Sequence, residues 1–234
     1  MSTIAKSGGL FVTGTDTGVG KTLVASALIR RFVQHGLRTA GMKPVASGAV
    51  RHGHQWRNED VDALRAAANV EVPERLMNPF LLRRATAPHI AAHEEGVRID
   101  VVHLKQCYRQ IAGMADVVVV EGAGGFMVPL NEGCNSDDVA ASLGLPMVLV
   151  VGIRLGCLNH ALLTQVAIRA KGLSLLGWVA NEIDPAEPYG AAMIASLAQR
   201  LEAPLLGRLP WSPAMSADQA ARLLDGVVPD CGLR

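Results

Sequence analysis

Residues 14–22 have the composition and spacing of a phosphate-binding loop. They read Gly-Thr-Asp-Thr-Gly-Val-Gly-Lys-Thr and separate an apolar run from a segment with helical periodicity. Between a strand and a helix, such a loop presents backbone N–H groups to phosphate oxygens. The Lys21 ammonium would reach the outer phosphates, and the Thr22 hydroxyl would bind Mg²⁺. We predict nucleotide binding, although Thr15 replaces the usual first glycine, because an ordinary glycine turn does not explain these features together.

Lys43 comes directly after the second apolar run of the chain, residues 39–42, and is followed by Pro44. In parallel α/β sheets, ligands bind beyond the carboxyl ends of the strands. A lone lysine in this place is also compatible with a solvated strand end. We expect its strand to lie beside the phosphate-binding loop, and this expectation favours a functional lysine.

Two carboxylates follow predicted structural elements at places where they could hold Mg²⁺. Glu121 ends a run of four valines and has the form of a Walker-B acid, whereas a plain turn would not explain an acid there. Asp60 precedes a predicted helix, where a capping or first-turn role is the alternative. Phosphate chemistry with Mg²⁺ requires such carboxylates. Gly122, Ala123 and Gly124 would let the chain pass close to the phosphates.

A further candidate anion site lies where the run 147–151 leads into a helix. The segment contains small residues, and the start of a helix at this edge could bind a substrate carboxylate, although simple helix initiation explains it equally well. His89 and His93 stand four residues apart, but without further ligands a metal site there is not favoured. The segment runs from Val151 to His160 and includes Gly156, Cys157, Leu158 and Asn159.

Composition limits the class of protein. Of the 234 residues, 50% are hydrophobic and 4% aromatic, which fits an aliphatic core around buried parallel strands. The formal net charge is +1, so no basic footprint for nucleic acid is present. The four cysteines are scattered, which argues against a zinc site or disulfide framework and favours a reducing cytosol. We find no signal-like or membrane-spanning segment and expect a soluble, cytoplasmic protein without membrane partners.

The pattern of apolar runs and helical segments predicts one α/β domain over residues 1–234. The strands show no polar alternation, which indicates a doubly wound, mainly parallel sheet that is covered on both faces. Predicted strands are residues 10–13, 39–42, 117–120, 147–151, 175–180 and 204–209. Predicted helices are residues 21–34, 61–68, 101–114, 137–143, 158–170, 189–200 and 217–224.

These motifs together resemble the dethiobiotin synthetase family. The matching segments, in order along the chain, are residues 14–22, 43–48, 87–89, 121–125, 155–160 and 177–181. The resemblance implies a P-loop ATPase-type fold and an ATP-dependent ligase of biotin biosynthesis. In that reaction 7,8-diaminononanoate takes up CO₂ as a carbamate, ATP phosphorylates the carbamate, and the second amine closes a ureido ring. ADP and phosphate are released.

The resemblance also implies roles for individual residues. Lys43, Lys21 and Thr17 would be catalytic, and Thr22, Asp60 and Glu121 would bind Mg²⁺. Thr17 and Ser47 would bind the carbamate or diamine end, and residues 156–159 the far carboxylate, from the other subunit of a homodimer. Asn181 would read the adenine edge. The nucleotide-binding set would be Gly18, Val19, Gly20, Lys21, Thr22, Leu23, Asp60, Glu121, Gly122, Ala123, Gly124, Asn181, Leu209, Pro210 and Trp211.

Two other classes share parts of this pattern. ParA/MinD-like switch ATPases have the same fold and unusual phosphate-binding loops, but they carry a lysine where this chain has Asp16. Cobyrinate-type amidotransferases need a glutaminase domain, for which the chain has no room. One departure from the synthetase pattern is Gly18, since some relatives carry an acid there. Residues 70–84 and the segment after Asp218 suggest no function.

Overall fold

The computed structural model describes residues 8–224, so both ends of the predicted domain, and Cys231, lie outside the described residues. Within this range, six strands form one sheet in which every neighbouring pair is parallel. Three small two-stranded sheets accompany it. The strands are β1 (Gly8–Gly14), β2 (Thr39–Met42), β3 (Val45–Ser47), β4 (Val50–His52), β5 (Gln55–Arg57), β6 (Phe80–Leu82), β7 (Val117–Glu121), β8 (Pro129–Asn131), β9 (Cys134–Asn135), β10 (Met147–Ile153), β11 (Leu175–Glu182) and β12 (Leu205–Leu209).

The helices reproduce the predicted segments to within two or three residues at each end, and α1 matches the prediction at both ends. Two short helices, α3 and α4, were not predicted. The helices are α1 (Lys21–Gln34), α2 (Glu59–Ala67), α3 (Glu74–Met77), α4 (Pro88–Glu94), α5 (Val101–Ala112), α6 (Ser136–Leu143), α7 (Cys157–Ala170), α8 (Gly190–Arg200) and α9 (Ala217–Ala221).

Both faces of the central sheet are covered, as the unalternating strands predict. On β10, Val148 and Val150 belong to the large apolar cluster around α1, whereas Leu149 and Val151 belong to a second cluster with α7 and α8. Successive residues of a strand point to opposite faces, so β10 is buried on both. The predicted doubly wound sheet is confirmed.

The order of the strands places the phosphate-binding loop at the centre of the sheet. The order is β12-β11-β10-β1-β7-β2, so β1 lies between β7 and β10. From β1 the chain goes out to β2 at the edge, returns to β7 and then crosses to β10 on the other side of β1. Such a switch point is where α/β sheets bind ligands. The expectation that β2 lies beside the loop is wrong, because β7 separates β2 from β1.

Short elements between β2 and α5 account for most of what the sequence pattern missed. The pairs β3–β6 and β4–β5 have three residues in each strand, which is too short for a periodic signal. The β4–β5 hairpin is exposed along its whole length. Residues 70–84 contribute α3 and β6, so they extend the small sheet that carries Ser47. No helix in the described range has the length and apolar character needed to span a membrane.

Candidate active site

The phosphate-binding loop joins β1 to α1 in a conformation that only glycine adopts easily. Gly20 precedes α1 with φ at 89°, in the left-handed region. A Cβ on Gly20 would also lie 2.2 Å from the amide nitrogen of Asn181. In the described structure no side chain caps α1, and its first turn carries no acid. Its first N–H groups are therefore suited to an anionic ligand.

Gly14 explains why the loop tolerates Thr15 in place of the usual glycine. A Cβ on Gly14 would meet Val19 at 2.7 Å and the aliphatic stem of Lys21 at 3.1 Å. The close approach that needs glycine thus occurs one residue earlier. The Thr15 N–H donates to the carbonyl of Val150, which ties the loop to β10 at 3.0 Å. The glycine therefore stands one residue earlier than usual because Lys21 packs against Gly14. The loop still joins β1 to α1.

Two lysines and two carboxylates meet beside the start of α1. We call Lys21, Lys43, Asp60 and Glu121 the charge cluster. Lys43 Nζ donates to Glu121 Oε1 at 2.6 Å and lies 2.9 Å from Asp60 Oδ2. It also lies 3.3 Å from the carbonyl oxygen of Gly122. Lys43 follows β2, and Glu121 ends β7, the strand that lies between β2 and β1. The contact with Glu121 therefore brings Lys43 toward the phosphate-binding loop, which follows β1.

The Thr22 hydroxyl lies between the two carboxylates of the cluster. Its oxygen is 2.7 Å from Asp60 Oδ1 and 2.8 Å from Glu121 Oε1. A hydroxyl has one proton, so it can donate to only one of these oxygens at a time. Glu121 Oε2 is buried and has no hydrogen-bond partner among the described residues. Glu121 Oε2 is therefore an acceptor left free beside Asp60 and the Thr22 hydroxyl, and hard divalent cations such as Mg²⁺ prefer oxygen ligands of this kind.

The charges of the cluster control one another's pKa values. Burial, and next the positive charge of Lys43, lower the pKa of Lys21 to about 8, although Glu121, Asp60 and Asp16 oppose this. Burial would lower the pKa of Lys43 as well, but the neighbouring Glu121 and Asp60 outweigh it and raise that pKa. Burial opposes ionisation of Asp60, yet Lys43 and Thr22 hold its pKa below the usual value. Burial raises the pKa of Glu121.

Asn181 lies at the other side of the phosphate-binding loop. Its Nδ2 donates to the carbonyl of Val19 at 2.9 Å, and its Oδ1 accepts no hydrogen bond from the described residues. Asn181 pairs in register with Leu209 across β11 and β12. Pro210 and Trp211 therefore leave the sheet edge beside it, and the Trp211 side chain is about half exposed. The structure thus places the predicted adenine-binding residues at one edge.

The predicted diamine-binding residues differ in their surroundings. Ser47 ends β3, and its hydroxyl is buried without a hydrogen-bond partner in the described chain. Thr17 is exposed, and its hydroxyl oxygen would lie 3.5 Å from a Cβ on Gly124, so the loop after β7 passes close to the phosphate-binding loop. A buried hydroxyl without a hydrogen-bond partner is unfavourable unless a ligand forms a hydrogen bond with it. Ser47 therefore fits a polar ligand group.

Residues 156–159 begin α7 at the surface of the chain. Gly156 precedes the helix with φ at 93°, and no side chain caps α7 in the described structure. Leu155 is 86% exposed. The thiol of Cys157 is buried against Met193, and its N–H donates to the carbonyl of Arg154 at 3.0 Å. The described contacts do not close this segment into a pocket.

Sequence reasoning missed an ion pair that joins the two candidate anion sites. Arg154 Nη2 lies 2.6 Å from Asp16 Oδ2. The two residues are 138 positions apart, so no local spacing signals the contact. The parallel pairing of β1 with β10, in which Gly14 lies opposite Val150, brings the two loops together.

The histidines do not form a second metal site in the described part of the chain. No group of three or more His, Cys, Asp and Glu residues there could hold a metal ion. His89 and His93 instead border a cavity of about 450 Å³ beside β8. Cys107, Cys134 and Cys157 are free thiols, so the described cysteines form no disulfide.

Comparison with known proteins gives a close relative along most of the chain. A family model described as an AAA domain matches residues 8–219. The chain is 51% identical over 219 residues to the ATP-dependent dethiobiotin synthetase BioD of Janthinobacterium sp. (strain Marseille). The match covers 92% of this chain and 93% of that protein.

Solved structures with the same fold are much more distant in sequence. MinD of Aquifex aeolicus gives a TM-score of 0.60 at 14% identity and covers 94% of both chains. MinD of Pyrococcus horikoshii OT3, solved as a complex with Mg-ADP, gives 0.57 at 16% identity and covers 92% of this chain and 86% of its own. These likenesses show the fold alone.

Proposed function

The chain belongs to the dethiobiotin synthetase family and uses ATP to make dethiobiotin, and we propose that it does so by carboxylating 7,8-diaminononanoate. Identity of 51% along nine-tenths of both chains supports the family, and the charge cluster supports the chemistry. The substrate is a small molecule with two adjacent amines and a distant carboxylate. CO₂ supplies the carbon that joins the two nitrogens.

The proposed reaction has three steps. One amine attacks CO₂, loses a proton and becomes a carbamate. A carbamate oxygen then attacks the γ-phosphorus of ATP, and the bond to the β,γ-bridging oxygen breaks to release ADP. The second amine attacks the carbonyl carbon of the carbamic–phosphoric anhydride, loses a proton and expels phosphate. The product is the ureido ring.

Charge neutralisation is the main demand of the second step. A carbamate and a triphosphate are both anions, so their approach needs several fixed cations. We propose that Lys21 binds the outer phosphates and that Lys43 faces the carbamate and the transferring phosphoryl group. Lys43 is protonated because Glu121 and Asp60 raise its pKa. Its three ammonium protons all face oxygens of the cluster or of Gly122, so it must exchange one of these contacts to reach the substrate.

Thr22, Asp60 and Glu121 are the residues that we propose to hold Mg²⁺. The unpartnered Glu121 Oε2 and the two short contacts of the Thr22 hydroxyl fit such an ion. When bound, Mg²⁺ would neutralise phosphate charge and stabilise the leaving ADP. Lys43 would then donate a hydrogen bond to the carbamate in place of one that it now donates to Glu121 or Asp60. We propose that Thr17 and Ser47, whose buried hydroxyl has no partner among the described residues, bind the amine end.

We propose that two copies of the chain form a homodimer and that residues 156–159 of each bind the diamine's carboxylate in the other. The start of α7 is uncapped among the described residues but stands open to solvent. Farther along α7, Leu163 and Val166 are 60% and 62% exposed. Together with Asn159 they have the spacing of one helix face. A second copy seated on that face would bury these side chains and complete the site.

Product formation tests the function directly. Purified protein is incubated with ATP, Mg²⁺, ¹³C-bicarbonate and 7,8-diaminononanoate, and the product is analysed by mass spectrometry. We expect one labelled carbonyl per product molecule and one ADP per ring. A monoamine analogue is the matched control, because it can form a carbamate but cannot close the ring. ATP hydrolysis without labelled product would contradict the proposal.

The Mg²⁺ assignment has its own test. Asp60→Asn and Glu121→Gln keep the side-chain shapes but remove one negative charge each. We expect both variants to need roughly tenfold more Mg²⁺ for half-maximal activity, with partial rescue at high Mg²⁺. Asp62→Asn, on the same turn of α2, is the control and should keep the wild-type requirement. Unchanged Mg²⁺ dependence in both site variants would make these acids structural.

A further inference from the structure

The Asp16–Arg154 ion pair connects the phosphate-binding loop with the loop that starts α7. Its atoms are 2.6 Å apart, between Asp16 Oδ2 and Arg154 Nη2. Asp16 follows β1 and Arg154 follows β10, and these strands are parallel neighbours at the centre of the sheet. The pair therefore bridges the two helix starts that follow left-handed glycines, Gly20 and Gly156.

On the side of the phosphate-binding loop, Asp16 fixes two groups that the reaction needs. Its Oδ1 accepts a hydrogen bond from the Thr17 N–H at 2.7 Å. Its carbonyl oxygen accepts from Lys21 Nζ at 2.8 Å. A shift of Asp16 would thus move the backbone of Thr17 and change the position of the Lys21 ammonium.

On the side of α7, Arg154 fixes the first turn of the helix. Its carbonyl oxygen accepts from the Cys157 N–H at 3.0 Å, across the left-handed Gly156. Through its side chain and its carbonyl, Arg154 therefore contacts both the phosphate-binding loop and the segment proposed to bind carboxylate. Other ion pairs of similar exposure, such as Arg169–Glu202, join elements away from these loops.

We infer that Arg154 is a positioning residue that, through Asp16, couples ATP binding in its own chain to binding of the diamine in the partner's active site, whose carboxylate its α7 would hold. This inference rests on the proposed function, since it takes residues 156–159 as the diamine's carboxylate site. Binding of a triphosphate draws Lys21 away from the Asp16 carbonyl and toward phosphate. Asp16 is then held by Arg154 and the Thr17 N–H alone, so the start of α7 senses the state of the loop. We expect bound ATP to strengthen diamine binding by way of this contact. By linkage, bound diamine must then strengthen ATP binding by the same factor.

Ligand coupling in single and double variants tests the inference. The affinity of a non-hydrolysable ATP analogue is measured by titration with and without saturating 7,8-diaminononanoate. In the wild type we expect the diamine to tighten the analogue by about fivefold or more. In Arg154→Ala and Asp16→Asn the factor should fall to near one. The double variant should show no further loss, because each single change already breaks the pair.

Kinetics separate positioning from a merely structural role. Arg154→Ala should raise KM for the diamine by about tenfold while kcat and the affinity for the analogue alone change less than about threefold. Arg154→Lys should restore most of the coupling, since it keeps the charge. Arg169→Ala, which breaks a surface pair at the other end of α7, is the matched control and should change neither quantity.

Two results would overturn the inference. One is a wild type that makes dethiobiotin but shows no coupling between diamine and analogue. The other is coupling that survives in Arg154→Ala or additive effects in the double variant. A wild type that makes no dethiobiotin would instead refute the proposed function, so the two failures are distinguishable.

Discussion

The starts of α1 and α7 have the same local design but very different surroundings. Each follows a central parallel strand, each is preceded by a glycine with positive φ, and neither has a side-chain cap in the described structure. By contrast, Asn58 caps α2, and acids fill the first turn of that helix. A side-chain cap takes up some of the free N–H groups at a helix start, as Asn58 does for Asp60 and Val61, whereas no side chain in the described structure takes up those of α1 and α7.

The difference between the two starts lies in what surrounds them. Around α1, the charge cluster is supplied within one chain, and Lys43 and Glu121 are almost fully buried. Around α7, the neighbouring Leu155 is 86% exposed and Asn159 is exposed as well, although Cys157 is buried against Met193. Under the proposed function, one chain therefore supplies all of the proposed phosphate site but only part of the proposed carboxylate site. The predictions below test each half.

The largest effect is expected at Lys43. Replacing it with glutamine keeps the length but removes the cation that we assign to the carbamate and the phosphoryl group. Ring formation should fall by ~10²–10³-fold, about 3–4 kcal/mol of transition-state stabilisation, while ATP binding stays within a few-fold. The measurements are ATP titration and product formation. Full turnover by Lys43→Gln would show that the buried cluster is structural.

Lys21 should have the next largest effect, because it binds phosphate in ground and transition states alike. Lys21→Ala should weaken ATP binding and lower kcat by ~10²-fold. The pKa of about 8 adds a pH signature. Phosphate binds the protonated amine, so the dissociation constant should rise about tenfold between pH 7 and pH 9 as the proton is lost. Lys21→Met should lack that rise, and an equal rise in both proteins would exclude Lys21 as its cause.

The residues around the start of α1 could be predicted from the sequence because their signals are local. Residues 14–22 carry the loop, and Glu121 follows an unbroken valine strand that needs no partner to be recognised. The approach of Lys43 to Glu121 depends on strand order, which local patterns do not specify. The order was expected wrongly, yet the contact forms because the ends of β2 and β7 are neighbours.

The rest of the proposed site was less predictable for a physical reason. Three-residue strands such as β3 have no periodicity, so the burial of the Ser47 hydroxyl could not be foreseen. The Asp16–Arg154 pair depends on the pairing of β1 with β10 across more than a hundred residues. Contacts that come from tertiary register leave no trace in the spacing of residues.

The proposal that a second copy buries the exposed face of α7 can be tested by introducing negative charges there. The double variant Leu163→Asp, Val166→Asp places two acids on the exposed face and should prevent a second copy from binding there. We expect elution as a monomer and about a tenfold higher KM for the diamine, with ATP affinity within threefold. Val102→Asp, on an equally exposed valine of α5, is the control and should change neither property. A variant that remains dimeric with an unchanged KM would place the carboxylate site elsewhere.

The smallest effect is expected at Asn181, which lies in β11 beside the phosphate-binding loop and whose amide group has two proposed tasks. Its Nδ2 holds the Val19 carbonyl of the phosphate-binding loop, so its Oδ1 is the group left for a base. An acceptor oxygen suits the exocyclic amine of adenine and leaves the keto oxygen of guanine unpaired. Asn181→Ala should raise KM for ATP only a few-fold but lower the preference for ATP over GTP by about tenfold.

A second variant separates the two proposed tasks of Asn181, which are contact with the base and the hydrogen bond to the Val19 carbonyl. Asn181→Asp keeps an acceptor for the base but loses the donor to Val19, so it should weaken ATP and GTP alike and keep their ratio. Comparing kcat/KM for the two nucleotides in wild type, Asn181→Ala and Asn181→Asp distinguishes these outcomes. If alanine leaves the ratio unchanged, Asn181 only supports the loop, and base selection must come from the edge formed by Leu209, Pro210 and Trp211. If aspartate lowers the ratio as much as alanine does, the base is read by Nδ2, and the hydrogen bond to Val19 must open when ATP binds.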